Sequence, residues 1–184
     1  MIRIADFTLA LLGLLILLPI FLILIFLCYL DTGSPIFAQE RVGKDSINFI
    51  LYKFRTMDVS ASSNYVIESD YLKITKLGSI LRKFKFDEIP QLLNVLSGRM
   101  SLVGPRPCLP SQKKLIKLRK ENGILEFKPG ITGLAQIERV DMSKPEELTR
   151  LDMKMLKELN FKNYLLLISK TILGAGFGDS TFKI

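Results

Sequence analysis

Phe86-Asp87-Glu88-Ile89-Pro90-Gln91-Leu92-Leu93-Asn94-Val95-Leu96, followed by Ser101-Leu102-Val103-Gly104-Pro105-Arg106-Pro107, is the stretch around which the chain is organised. Two adjacent carboxylates open a short helical pattern. Pro90 falls in its first turn, where a missing N–H costs little, and Leu92, Leu93, Val95 and Leu96 supply an apolar face. The positive end of a helix macrodipole keeps carboxylates ionised at neutral pH, and the free backbone N–H groups there seat phosphate. An ionised carboxylate beside a phosphate seat is what nucleophilic attack on phosphorus requires. Ordinary helix capping by Asp87 and Glu88 is the competing reading. Neighbouring helical residues are offset by about 100°, so the two carboxylates are expected to point apart and take separate roles.

Composition narrows the chemistry. The chain has 184 residues, no histidine, and a net charge of +8 from 26 Lys+Arg against 18 Asp+Glu. Without imidazole, Ser-His triads and His-bound zinc are excluded, and acid–base or metal work falls to Asp, Glu, Lys or water. Cys28 and Cys108 form neither a disulfide framework nor a zinc spacing, which predicts a reduced, cytosol-facing domain. A basic domain behind an apolar leader points to anionic headgroups, nucleotides or phosphates. Nucleic acid is not expected, because no aromatic-plus-basic stacking motif is present.

From Phe7 to Leu30 the chain is uncharged and almost wholly apolar, long enough to cross a bilayer core of about 20 helical residues. It exceeds a signal-peptide core, and no small-x-small cleavage site follows it. Pro19 kinks the run. A kinked spanning helix and a helix that breaks at Leu18-Pro19 and turns back are both open on the residues alone, since Arg3 and Asp6 before the run are matched by Asp31, Arg41 and Lys44 after it. Residues 1–30 are thus expected to be membrane-embedded and 31–184 to form a cytosolic domain.

Behind a turn at Asp31–Pro35, Ile36–Gln39 and Asn48–Arg55 read as a hairpin turning near Gly43–Asp45, with Lys53 and Arg55 on one face. These two cations suit either a solvated edge or a phosphate clamp. Ser60–Ser69 reads as a mobile polar loop. Helices are expected over Thr75–Phe84, Ser111–Asn122, Pro145–Leu159 and Asn163–Leu173, with a glycine-rich tail from Gly174 to Gly178. The basic Ser111–Asn122 helix suits either an anionic membrane surface or solvent. The expected fold is α/β-mixed and helix-rich, with a short hairpin or sheet among interfacial helices and no doubly wound pattern.

Taken in order, these pieces resemble the small monotopic phosphoglycosyl transferases among the bacterial sugar transferases. The matching motifs are Gly33–Gly43, Tyr52-Lys53-Phe54-Arg55-Thr56-Met57, Leu77-Gly78 with Leu81-Arg82, Asp87–Leu92, Asn94–Pro107, and Lys128–Gln136. The resemblance implies transfer of a sugar 1-phosphate from a UDP-sugar to undecaprenyl phosphate, with release of UMP, as the first membrane step of glycoconjugate assembly. It implies Asp87 as nucleophile through a phosphosugar-aspartyl intermediate, and Glu88 as its Mg2+ or acid–base partner. Mg2+ would be held at Asp87 and Glu88. Lys53, Arg55, Arg82, Arg106, Gln136 and Asp152 are the implied substrate and phosphate contacts. The family also implies a re-entrant N-terminal segment in the bacterial inner membrane with the catalytic domain facing the cytosol, although Leu18 stands where the family places Ser before the proline. A membrane-associated glycosyltransferase releasing UDP and a non-enzymatic basic membrane module are the alternatives.

Overall fold

The computed structural model describes residues 1–59 and 74–174. The polar loop expected over 60–69 and the tail beyond Gly174 lie outside these residues.

The N-terminal apolar run forms one helix, α1 (Ile2–Thr32), with Pro19 inside it, rather than two helices joined at a break. A proline removes a single backbone hydrogen bond and need not end a helix whose other positions are all good formers. The helix stops at Gly33, whose φ of 71° is the left-handed conformation that favours glycine, and whose N–H reaches the Tyr29 carbonyl. One stripe of α1 is buried at spacings of three and four: Asp6, Ala10, Leu24 and Cys28, with Leu17 and Phe21 partly covered between them. The remaining faces, including Leu15, Ile16, Ile23 and Phe26, are exposed.

Asp6 does more than balance a neighbouring charge. Its Oδ1 accepts hydrogen bonds from the Ser101 hydroxyl, the Leu102 N–H and the Tyr164 hydroxyl, each at 2.8 Å. Arg3 donates to the Val95 and Leu96 carbonyls at 2.6 and 3.1 Å, placing a cation on the carbonyl end of a short helix.

The expected hairpin is present. β1 (Ile36–Val42) and β2 (Asn48–Phe54) pair antiparallel from Ile36↔Phe54 to Val42↔Asn48, turning through a 3-10 segment at Lys44–Ser46. Alternation along β2 puts Phe49, Leu51 and Lys53 on the inner face. A second sheet was not expected: β3 (Ser101–Val103) and β4 (Gly130–Thr132) pair in parallel. A Cβ on Gly130 would lie 2.0 Å from the Gly104 nitrogen, so only glycine lets these backbones approach.

The helices are α2 (Lys76–Lys83), α3 (Gln91–Leu96), α4 (Lys113–Glu121), α5 (Leu134–Ile137), α6 (Pro145–Glu158) and α7 (Phe161–Ile172). The basic helix α4 packs on α6 through Leu115 and also buries Arg119. Only the rest of its charged face meets solvent. The architecture is a helix-rich α/β fold with one N-terminal apolar helix and two small sheets.

Candidate active site

Backbone devices bring the carboxylate pair to the hairpin. Thr75 caps α2, its hydroxyl accepting the Gly78 N–H at 2.8 Å. Gly78 lies so close to β2's continuation that a Cβ there would meet the Thr56 carbonyl oxygen at 2.1 Å. Lys85, at a left-handed φ of 59°, turns the chain into a 3-10 segment, Phe86–Glu88, ahead of α3. From α3, Asn94 treats the free edge of β2 as a strand would. Its Nδ2 donates to the Ile50 carbonyl at 2.7 Å and its Oδ1 accepts the Tyr52 N–H at 3.1 Å.

The capping reading does not hold. The residues at the cap positions are Lys85 and Pro90, and neither segment has a side-chain cap. Asp87 and Glu88 are instead buried, 7% and 8% exposed. A 3-10 turn offsets neighbours by about 120°, yet Lys53 reaches both carboxylates. Lys53 Nζ lies 3.1 Å from Glu88 Oε1 and 3.7 Å from Asp87 Oδ2, and Arg106 Nη2 lies 3.3 Å from Glu88 Oε1.

The neighbours differ in proton affinity. Burial raises the pKa of Asp87, and the charge of Glu88 adds to that, against the lowering by Lys53, Lys85 and Arg82. Burial also acts on Glu88, but Lys53 and Arg106, followed by Lys85, outweigh it and hold the carboxyl at about 2. Asp87 Oδ1 is buried and has no hydrogen-bond partner among the described residues. A lone buried carboxylate oxygen beside a second carboxylate fits a Mg2+ ion, which takes one or two protein carboxylates together with substrate phosphate oxygens. No cluster of three or more acidic, Cys or His side chains suited to a metal occurs among the described residues.

The expected contacts divide into two groups. Lys53 and Arg106 line a pocket with Arg41 and Gln91, floored by Leu51 and Pro107. Arg82 lies nearby, its Nε on the Thr56 hydroxyl at 2.9 Å, close enough for its charge to act on Asp87. Arg55 turns the other way: its guanidinium donates to the Ser34 and Ile36 carbonyls and stacks over Phe37. Gln136 reaches the Gly104 carbonyl at 3.5 Å and does not line the pocket. Asp152 is 1% exposed and receives Arg119 Nε and Nη2 at 3.0 and 2.7 Å, while Arg119 Nη1 donates to the Arg106 carbonyl at 2.8 Å. It is therefore placed to hold the Arg106 loop from behind.

Arg41 and Arg119 were not singled out from the sequence. Arg41 stands inside the quoted Gly33–Gly43 motif, and strand alternation offers the only signal for it. Arg119 lies one turn beyond the apolar Leu115, on the buried side of an otherwise basic helix.

Comparison with known proteins agrees with this geometry. The family described as bacterial sugar transferase matches residues 1–177. The galactosyl transferase CpsE of Streptococcus agalactiae serotype III (strain NEM316) is 37% identical over 95% of this chain and 42% of its own length. The UDP-glucose:undecaprenyl-phosphate glucose-1-phosphate transferase of Escherichia coli (strain K12) is 35% identical over 85% of this chain and 36% of its own length. The exopolysaccharide production protein ExoY of Sinorhizobium fredii (strain NBRC 101917 / NGR234) is 33% identical over 91% of this chain and 81% of its own length. The chain thus spans well under half of the first two relatives. With residues 1–177 matched, and with Lys53 and Arg106 both paired to Glu88 and lining one pocket, the chain belongs to the bacterial sugar transferase family.

Proposed function

We propose that the protein transfers a sugar 1-phosphate from a UDP-sugar to undecaprenyl phosphate and releases UMP, starting glycan assembly at the bacterial inner membrane. The observation that supports this most is the buried Asp87, with one carboxylate oxygen unpartnered, beside a row of phosphate-binding cations. In the first step an Asp87 oxygen attacks the sugar-side phosphorus. The bond from that phosphorus to the bridging oxygen breaks, and its electron pair leaves with UMP. In the second step an oxygen of the lipid phosphate attacks the same phosphorus and the Asp87–phosphorus bond breaks, freeing the carboxylate. Two enzyme-held displacements replace one direct encounter between anions.

Lys53 and Arg106 hold the phosphate oxygens, Arg106 with a planar fork suited to two of them. Glu88, held ionised, keeps both cations in place. Asp87 and Glu88 would hold Mg2+ jointly with the phosphates, and what that ion supplies is neutralisation of diphosphate charge. The exposed apolar faces of α1 bed in lipid, so that the lipid phosphate arrives laterally while the water-soluble nucleotide-sugar enters from the cytosol.

Nucleotide release from the detergent-solubilised protein, with undecaprenyl phosphate, Mg2+ and a panel including UDP-glucose and UDP-galactose, tests the reading. UMP formed with one sugar, together with a phosphosugar adduct on Asp87 by intact mass, is the expected result. Release of UDP would instead assign glycosyl transfer. Turnover retained in Asp87→Asn would remove the nucleophile.

A further inference from the structure

Arg41 is the one pocket cation to which the reading above gives no task. It projects from β1, donating from Nη1 to the Pro107 carbonyl at 3.1 Å and from Nη2 to the Gln39 Oε1 at 2.6 Å. Its Nε is buried without a hydrogen-bond acceptor among the described residues. Lys53 and Arg106 are both answered by Glu88, whereas no ion pair to Arg41 exists among the described residues. Burial and the like charge of Arg106 pull its pKa down to about 10, which still leaves it a cation at neutral pH. A half-buried guanidinium with no ion pair among the described residues and a like-charged neighbour is a standing demand for an anion.

Its place says which anion. Lys53 meets both Asp87 and Glu88, Glu88 meets Arg106, and Arg41 lines the same pocket as Lys53 and Arg106, a pocket that Asp87 does not line. Phosphoryl displacement puts the leaving oxygen roughly in line with the nucleophile and opposite to it. We propose that Arg41 binds the leaving, nucleotide-side phosphate of the nucleotide-sugar in that pocket. This rests on the phosphoglycosyl transfer reading. When the bond to the bridging oxygen breaks, that oxygen takes the electron pair, and Arg41 supplies the charge that meets it.

The test uses the full chain in detergent, with UMP and uridine as probes, and compares wild type with Arg41→Gln and Arg41→Lys. A charged hydrogen bond of about 1.5–3 kcal/mol corresponds to roughly a tenfold to hundredfold loss of UMP affinity in Arg41→Gln. Uridine affinity stays unchanged, KM for the nucleotide-sugar rises, and KM for the lipid phosphate holds. Arg41→Lys, which keeps the charge and loses the fork, restores part of the affinity. UMP affinity within twofold of wild type in a folded Arg41→Gln overturns the proposal, as does a rise confined to KM for the lipid phosphate. If Arg41→Gln does not fold by circular dichroism, Arg41→Lys is read alone. A several-fold weaker UMP affinity then supports the proposal, and an unchanged one overturns it. Loss of UMP affinity in a protein whose wild type releases no UMP would sink the reaction while upholding Arg41 as a phosphate seat.

Discussion

Asp87 and Glu88 are chain neighbours with opposite proton affinities, because Glu88 touches two cations and Asp87 faces one at a longer distance. The sign of each effect on stability follows. The folded value of Asp87 lies above the ordinary 3.8. The stability tied to this group is therefore full below that value and lost as pH rises through the folded one. At neutral pH the ionised Asp87 carboxylate strains the fold, so Asp87→Asn is expected to melt at a higher temperature than wild type at pH 7 and, on the proposed reaction, to release no UMP. Glu88 runs the other way: its contribution is full above the ordinary 4.5 and is lost as pH falls towards about 2. Glu88→Gln should cost about 1–3 kcal/mol at pH 7, read as a lower melting temperature, with the difference narrowing at acid pH. The acid limb of kcat/KM should report an apparent pKa above 3.8. Lys53→Met should move that limb upward, since Lys53 is the strongest charge favouring the Asp87 carboxylate. A limb unmoved by Lys53→Met would detach it from Asp87.

At the scale of elements, the site is held by contacts from behind. Arg119 reaches the Arg106 carbonyl from α4, and Asp152 anchors Arg119 from α6. Removing one partner of a buried ion pair costs about 3–5 kcal/mol, so Asp152→Ala should lower the melting temperature and activity together. If Asp152 met substrate directly, the fold would hold while KM alone rose. Asn94→Ala removes the clamp between α3 and β2 and strands the Tyr52 N–H and the Ile50 carbonyl, at about 1–3 kcal/mol. Because α3 follows directly on the Asp87-Glu88 turn, kcat/KM should fall with it. What was legible in the sequence follows the same division. α2, α4, α6 and α7 showed their apolar period, and β1–β2 their alternation, because local pattern and burial agree there. The β3–β4 pair did not show, since three-residue strands far apart in sequence have no periodicity to read. The 3-10 turn at Phe86–Glu88 depends on the left-handed Lys85, a conformation that nothing in its side chain announces. Lys53 and Arg106 do stand beside the carboxylates, as expected for cations near Asp87 and Glu88. That Arg55 turns to the Ser34 and Ile36 carbonyls and Asp152 to Arg119 was not legible, because residue type cannot say which way a side chain turns.

For the molecule as a whole, the question is how α1 meets the bilayer. Its buried stripe runs from Asp6 to Cys28, a rise of about 33 Å, close to the roughly 30 Å thickness of a hydrocarbon core. The domain grips both ends of that stripe. Asp6 is bonded to β3 and to Tyr164 of α7, while Leu24 and Cys28 pack with Phe54, Leu81 and Ile89. Ile89 directly follows Glu88. If α1 crossed the membrane, the elements it grips would flank the whole core, and Lys53, Asp87 and Glu88 would sit at hydrocarbon depth, where ionised side chains are expensive. A helix immersed from one side, with its exposed faces in lipid and its stripe on the domain, avoids that cost. Single cysteines at positions 3 and 44, in a background with the buried Cys28 and Cys108 replaced by Ala, should therefore react with an impermeant thiol reagent from the same side of sealed vesicles. Labelling from opposite sides would mean that α1 spans and that its stripe leaves the domain in the membrane. Asp6→Ala, which frees the N-terminal grip, should then loosen α1 first at residue 3, seen as faster labelling there with position 44 unchanged.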